Sequence, residues 1–399
     1  MKISNSREKL WDLIVKSVFT NQIIEGSNKG HFYNQIIDGI YFRETAFGAK
    51  VLATEWKRTG DVRFKESAER AYSSSYALLQ STSLSNGIDE PQVTFRGVKP
   101  RKGSIPATVL LVFALKEAAE LLDKNLDLNL SDLSLYLSTC QISPGKFYHD
   151  KVDLNINNKK FLHVVNTSSM ALLYYTNIVG TEYTNFDQTS LLSNLISNIC
   201  KTQRSDGFWP YMEPNFLQKL LFPHFLVLHN KTKQKFLSDK SIYFGDAVHH
   251  CITLDYLLKS VDFELGDTSS NLAKKAILKG WNFILKNLKK CSNNQIKFDF
   301  GWEPKPRQLR YCNFIDTSTY FYIMDIVNEL MKAGFLSSDE ASMYTSGICN
   351  YIIEQLVQDG SVISPYDGPD DVYNKIIPRP AESIYDKGYL MSNLMIRSN

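Results

Sequence analysis

Six times along this chain a glycine turn, usually flanked by aromatic residues, stands ahead of a helix-sized amphipathic stretch. The turns read Asp38-Gly39-Ile40-Tyr41-Phe42, Asn86-Gly87-Ile88-Asp89, Gly145-Lys146-Phe147-Tyr148-His149-Asp150, Asp206-Gly207-Phe208-Trp209-Pro210-Tyr211, Phe300-Gly301-Trp302 and Asp359-Gly360-Ser361-Val362. Four of the five intervals between these glycines are about 50 to 65 residues, and the fourth is roughly 95, as if it carried an insertion. A period near 60 is too long for one helix and suits a helix pair plus a loop, so the pattern predicts six stacked helical hairpins.

The apolar periodicity agrees. Ala46, Ala49, Val51, Leu52 and Trp56 make one helical stripe, ended by Thr59-Gly60, and Ala68, Ala71, Tyr72, Ala77 and Leu78 make the next. Further helices are expected at Leu10–Phe19, Ile105–Leu122 with Pro106 near its N1 position, Thr167–Ile178 and Leu191–Cys200. Others are expected at Ala247–Leu258, Ala273–Leu288, Thr317–Met331, Ala341–Leu356 and Ala381–Met395. Some of these are apolar nearly all round, as helices buried on two sides must be, while the stretch Val62-Arg63-Phe64-Lys65-Glu66-Ser67-Ala68-Glu69-Arg70 is charged on one face. An inner and an outer ring explain both kinds, with the N-terminal helix as outer partner of the last one. Strands are expected only as small ribbons at loops, such as Ile296-Lys297-Phe298-Asp299-Phe300. The fold class is therefore all-α: a single (α/α)6 toroid of about twelve helices over residues 1–399.

The rest of the composition narrows the partners. The formal net charge is +3 with 22% charged residues and no clustered basic footprint, which argues against nucleic acid. Six scattered cysteines form no CxxC pair and no zinc-finger spacing, so they read as free thiols in a reducing, cytoplasmic compartment, with no metal. No secretory h-region opens the chain and no apolar run is long enough to span a membrane. The motifs G-x-S-x-G, Walker A, HExxH and the dinucleotide GxGxxG are missing, and no cofactor is expected.

Two local patterns carry a resemblance. Thr59-Gly60-Asp61 followed by Phe64, Ala68 and Ala71 resembles the outer-helix pattern of the six-hairpin (α/α)6-toroid enzymes, and Gln203-Arg204-Ser205-Asp206-Gly207-Phe208-Trp209-Pro210-Tyr211 is similar to the loop that leads into an inner helix in the same folds. Those toroids include glycoside hydrolases, polysaccharide lyases and sugar epimerases; terpenoid cyclases use a related α/α barrel. The resemblance implies a carbohydrate-active enzyme whose partner is an oligosaccharide or polysaccharide, with an anionic one suiting a mouth of helix N-termini. Fold alone does not select the reaction. Hydrolysis by paired carboxyls comes first, then elimination or uronyl epimerisation by Tyr, His and Arg, then a non-catalytic glycan- or peptide-binding ring or an isoprenoid cyclase-like barrel.

In such a ring the turns ahead of the inner helices line one mouth. The catalytic candidates there are Glu44, Asp246, His249, Asp316 and Asp370; the substrate-binding candidates are Arg43, Arg101, Trp209, Tyr211, Trp302 and Arg379. Carboxyls can protonate a leaving oxygen and activate water, and flat rings stack on apolar sugar faces. Asp246 and Asp316 also sit where an N-cap belongs, and Glu44 where a first-turn Glu complements the helix dipole. Asp246 and His249, three apart on a helix, share a face, and of the two adjacent imidazoles His249 is the one expected to face the lumen. Trp209 and Tyr211 are expected to line the mouth and not the outer wall.

Overall fold

The computed structural model describes residues 3–34, 39–82, 84–94, 97–151, 163–179, 188–211, 213, 247–261, 268–291, 294–299, 317–358, 361–362 and 384–396. They contain twelve α-helices: α1 (Ile3–Thr20), α2 (Phe42–Thr59), α3 (Val62–Ser81), α4 (Ile105–Leu121), α5 (Leu130–Thr139), α6 (Val165–Tyr174), α7 (Gln188–Thr202), α8 (Ala247–Ser260), α9 (Thr268–Asn287), α10 (Ser318–Lys332), α11 (Ser338–Tyr351) and α12 (Ile384–Met395). Helices α6 and α11 each run on into one π-type turn, Tyr175–Val179 and Ile352–Leu356.

The even-numbered helices form the inner ring. Helix α2 packs on α4, α4 on α6, α6 on α8, α8 on α10, α10 on α12, and α12 returns to α2. The odd-numbered helices lie outside them, and α1 touches α2, α11 and α12, so the first helix closes the ring against the last hairpin as the sequence pattern predicts. An outer helix carries the chain back between successive inner ones, so all six inner helices start at the same mouth. Burial follows: all of Thr108 to Leu115 on α4 and Ser318 to Asn328 on α10 are enclosed, whereas α3 buries one stripe (Ser67, Ala68, Ala71, Tyr72, Ser75, Leu79).

Local chemistry sets the joints. Gly60 ends α2 in the left-handed conformation at φ 74°, its N–H bonded to the Trp56 carbonyl, and Asp61 then caps α3 by accepting from the Arg63 N–H. The Thr59-Gly60-Asp61 pattern is thus a stop and a start in successive residues. Ser104 caps α4, its hydroxyl accepting from Ala107 N–H, with Pro106 where no N–H is needed.

All five sheets among the described residues are two-stranded antiparallel ribbons: β1 (Tyr33–Asn34) with β2 (Gly39–Ile40), β3 (Ile88–Thr94) with β4 (Gly97–Ser104), β5 (Gln141–Ser143) with β6 (Lys146–Phe147), β7 (Leu288–Lys290) with β8 (Ile296–Phe298), and β9 (Val357–Gln358) with β10 (Ser361–Val362). Two elements depart from the sequence reading. The β3–β4 ribbon is longer than any strand expected, and α5 was not among the expected helices. Its Leu130, Leu133, Tyr136 and Leu137 stand at helical spacing, the last three of them buried, and Asn129 caps the start. The described cysteines are free thiols, buried at Cys140, Cys200, Cys251 and Cys349 and exposed at Cys291; Cys312 lies outside the described residues. Among the described residues no helix is long and apolar enough to cross a membrane.

Candidate active site

The mouth has two chemically different sides. The first is built by α12, α2 and the end of β4. Arg43, in the first turn of α2, reaches over the Tyr41 ring with its guanidinium carbon 4.5 Å from the centroid. Its two terminal nitrogens stand 3.7 Å from Glu90 Oε2 on β3 and 3.8 Å from Asp386 Oδ2 in the first turn of α12. At an effective dielectric near 20 a pair of unit charges at such a distance is worth about 4 kcal/mol. Glu90 is fixed from behind: the Tyr41 hydroxyl donates to Oε2, and the Ser104 hydroxyl donates to Oε1 at 2.6 Å. Burial pushes the Asp386 carboxyl above its ordinary range; Arg43 and Lys387 pull the other way. Below them, burial raises the Tyr256 and Tyr322 phenols, so both stay protonated.

The opposite side belongs to α6 and α8. The segment from His163 to Val165 pairs with Tyr211 to Glu213: Glu213 N–H donates to His163 O at 2.9 Å and Val165 N–H to Tyr211 O at 3.0 Å. The Tyr211 hydroxyl bonds His149 Nε2, His149 Nδ1 bonds Thr167 Oγ1 at 3.1 Å, and the His249 ring meets Tyr211 edge-on at 4.5 Å. Beside them Ser168 Oγ lies 2.8 Å from His163 Nε2, and His163 Nδ1 3.2 Å from Glu213 Oε2, which also accepts from Lys146. The His163 bond holds the Glu213 carboxyl down at about 2, against its partial burial and with help from Lys146.

Deeper, toward the far ends of the inner helices, the lumen is filled by paired charge. Lys259 Nζ lies 2.7 Å from Asp255 and 2.6 Å from Asp325; Asn393 links Asp325 to Lys50, and Lys50 pairs with Glu117 at 2.9 Å.

Several sequence candidates meet here and others do not. Arg43, Tyr211 and His249 line the mouth. Glu44 is enclosed, 1% exposed, with both carboxylate oxygens taken by the Asn34 amide at 2.9 and 2.8 Å; it stands behind Arg43 and not in the opening. Trp209 corrects an expectation. Its indole is fully buried, donates from Nε1 to Ile199 O at 2.9 Å, and fills a notch where a Cβ on Gly280 of α9 would stand 2.5 Å from the ring. It still touches an inner-helix start, through its backbone N–H to His250 Nδ1 at 3.1 Å, but its ring is packing and offers no stacking face. The loop motif around it is scaffold: Gln203 clamps Gly207 O and Ala276 O, Arg204 pairs with Asp206, and Gly207 at φ 100° passes Lys279 O too closely for any side chain. What this scaffold delivers is Tyr211. Arg101 lies on β4 opposite Glu90 in the ribbon. Asp246, Asp316, Asp370, Trp302 and Arg379 lie outside the described residues. Asp386 escaped the sequence reading altogether. Among the described residues no group of three or more His, Cys, Asp or Glu is placed to hold a metal ion.

No protein-family model matches the chain, and no curated protein matches it in sequence. Its shape is shared by solved structures. A sugar epimerase from a ruminal bacterium matches with TM-score 0.59 at 11% identity, covering 100% of each chain. An unsaturated glucuronyl hydrolase specific for heparin matches with TM-score 0.57 at 12% identity over 99% of this chain and 96% of its own. A type II terpene cyclase from Scytonema, in complex with geranylgeranyl dihydroxybenzoate, matches with TM-score 0.52 at 12% identity over 98% and 97%. These likenesses, to proteins of three reaction classes, show the (α/α)6 toroid fold.

Proposed function

We propose that the chain is an enzyme that acts on a glycan, hydrolysing a glycosidic bond in the mouth between α12, α2 and α4. The observation that carries this reading is the pair of carboxyls, Glu90 and Asp386, set on either side of one guanidinium and hence within roughly 10 Å of each other, the separation across which an acid and a base can work on one bond. Asp386, whose burial favours the protonated form, gives its proton to the glycosidic oxygen as the bond from that oxygen to the anomeric carbon breaks. Glu90, held by the Tyr41 and Ser104 hydroxyls, takes a proton from the water that attacks the anomeric carbon. Exchange with solvent then restores both groups. Glu44 backs Arg43 electrostatically. The sugar epimerase and the glucuronyl hydrolase among the fold's neighbours support the substrate class, while the terpene cyclase shows why the site and not the fold must argue it.

The test is turnover on a panel of oligosaccharides and chromogenic glycosides. Asp386→Asn and Glu90→Gln are each expected to lower turnover about a hundredfold or more with folding intact. Wild-type rates in both variants would remove these carboxyls from the chemistry.

One arrangement favours a second reading. The Tyr211 hydroxyl on His149 Nε2, with His249 alongside, is suited to abstract a proton from carbon, as elimination or epimerisation requires. Formation of an unsaturated or epimerised product, lost in Tyr211→Phe and kept in Asp386→Asn, would establish that reading in place of hydrolysis.

A further inference from the structure

Arg43 is held without spending its donors. The Tyr41 ring supports its face, and the two carboxyls beside it stand at 3.7 and 3.8 Å, outside hydrogen-bond distance. Its Nε is buried without a hydrogen-bond partner. Asp386, likewise, receives no side-chain hydrogen bond from the described residues, whereas Glu90 is already engaged by Tyr41 and Ser104. The mouth thus presents an unused planar fork of donors next to an unused acceptor carboxyl.

We infer that the gap between Arg43 and Asp386 is a subsite for a neutral sugar, bound through two neighbouring hydroxyls. The inference deepens the glycan reading above and rests on it. A hydroxyl both accepts and donates, so a vicinal pair can accept from the guanidinium and match the Asp386 carboxyl, which donates from one oxygen and accepts at the other. A uronate carboxylate can only accept. It would satisfy Arg43 and leave the accepting oxygen of Asp386 without a donor, and it would enter beside the Glu90 carboxylate, with Glu44 behind Arg43. Lys387 adds positive charge beside Asp386, but its buried ammonium donates to Val362 O at 3.1 Å. The anionic substrate suggested by six helix N-termini is therefore disfavoured at this position: side-chain carboxyls a few ångströms away outweigh partial charges at helix ends.

The experiment is an NMR titration of the full chain with matched pairs of methyl glycosides and methyl uronides in the gluco, galacto and manno series. Within any pair that binds, the neutral sugar is expected to bind at least tenfold more tightly at neutral pH. Arg43→Lys, which replaces the fork by a single point of charge, is expected to weaken the neutral sugar about tenfold while the helical circular dichroism is unchanged. The double variant Glu90→Gln, Asp386→Asn is expected to narrow or reverse the preference. A uronide that binds wild type as tightly as its neutral partner overturns the inference and leaves the glycan reading standing, as does an undiminished preference in the double variant. Binding of no sugar in any series overturns both.

Discussion

His250 should make the fold acid-sensitive by an amount that the structure sets. Its imidazole is fully buried between Trp209, Phe208 and Phe283. The Trp209 backbone N–H can only donate, so Nδ1 must accept; the Gly280 carbonyl, 3.3 Å from Nε2, can only accept, so Nε2 carries the hydrogen. One neutral tautomer satisfies both. A second proton would set two N–H groups against each other inside the wall. Burial accordingly pushes the imidazole from 6.5 down to about 3, with the Gly280 bond and Asp206 opposing and Arg204 assisting. The folded value lies below the unfolded one, so the unfolded chain binds more protons between them, and stability falls as pH drops from about 6.5 toward about 3. From pH 7 to pH 5 this one residue should cost about 2 kcal/mol. Urea unfolding of wild type and His250→Gln at both pH values measures it. Glutamine can accept from Trp209 and donate to Gly280 yet does not titrate, so its loss over that interval should be smaller by about that amount. Equal losses in the two proteins would refute the buried neutral imidazole.

Three further substitutions test the lumen, the surface and the wall. Lys259→Met should cost about 3–5 kcal/mol in urea, because it leaves Asp255 and Asp325, both fully buried, without their shared cation. Lys57→Met, which breaks an exposed pair with Asp123, should cost under about 1 kcal/mol by the same assay. Gly48→Ala adds a Cβ 2.3 Å from Cε2 of the fully buried Phe32 ring; overpacking of about 1–3 kcal/mol should exceed the roughly 1 kcal/mol gained in helix propensity, giving a lower melting temperature by calorimetry.

The ring was legible in the sequence because its signals are local and repeated: a glycine turn followed by an apolar stripe, again and again along the chain. Helix α5 is harder to read: Leu130, Leu133 and Leu137 carry the helical spacing, but Leu135 between them blurs it in a segment of 10 residues. At the mouth, Arg43 and His249 could be placed from their nearness to helix starts, and Tyr211 from its Asp-Gly aromatic turn ahead of an inner helix. What no local pattern could show is who meets whom. Asp386 sits in the first turn of α12, where an acid reads as a dipole complement, and it becomes a site candidate only because ring closure brings α12 beside α2. Trp209 failed in the other direction: an aromatic after an Asp-Gly turn reads as a mouth residue unless one knows that Gly280, on another hairpin, has cut a notch for it.

The lumen holds two sets of buried charge, and their geometry separates folding from function. In the deep set every cation lies within 3 Å of a carboxylate, and the links cross from α8 to α10, α12, α2 and α4. Such a set ties five of the six inner helices to one register, because a slip of any helix would strand a buried charge. In the mouth set the guanidinium and its carboxyls are held a further ångström apart, and the supports that fix them, Tyr41 and Ser104, come from behind. That spacing forgoes hydrogen bonds each worth more than a neutral one. A folding device would close the gap. A gap kept open by a rigid ring, at the mouth where the inner helices start, is the arrangement expected of groups that find their partners on a substrate.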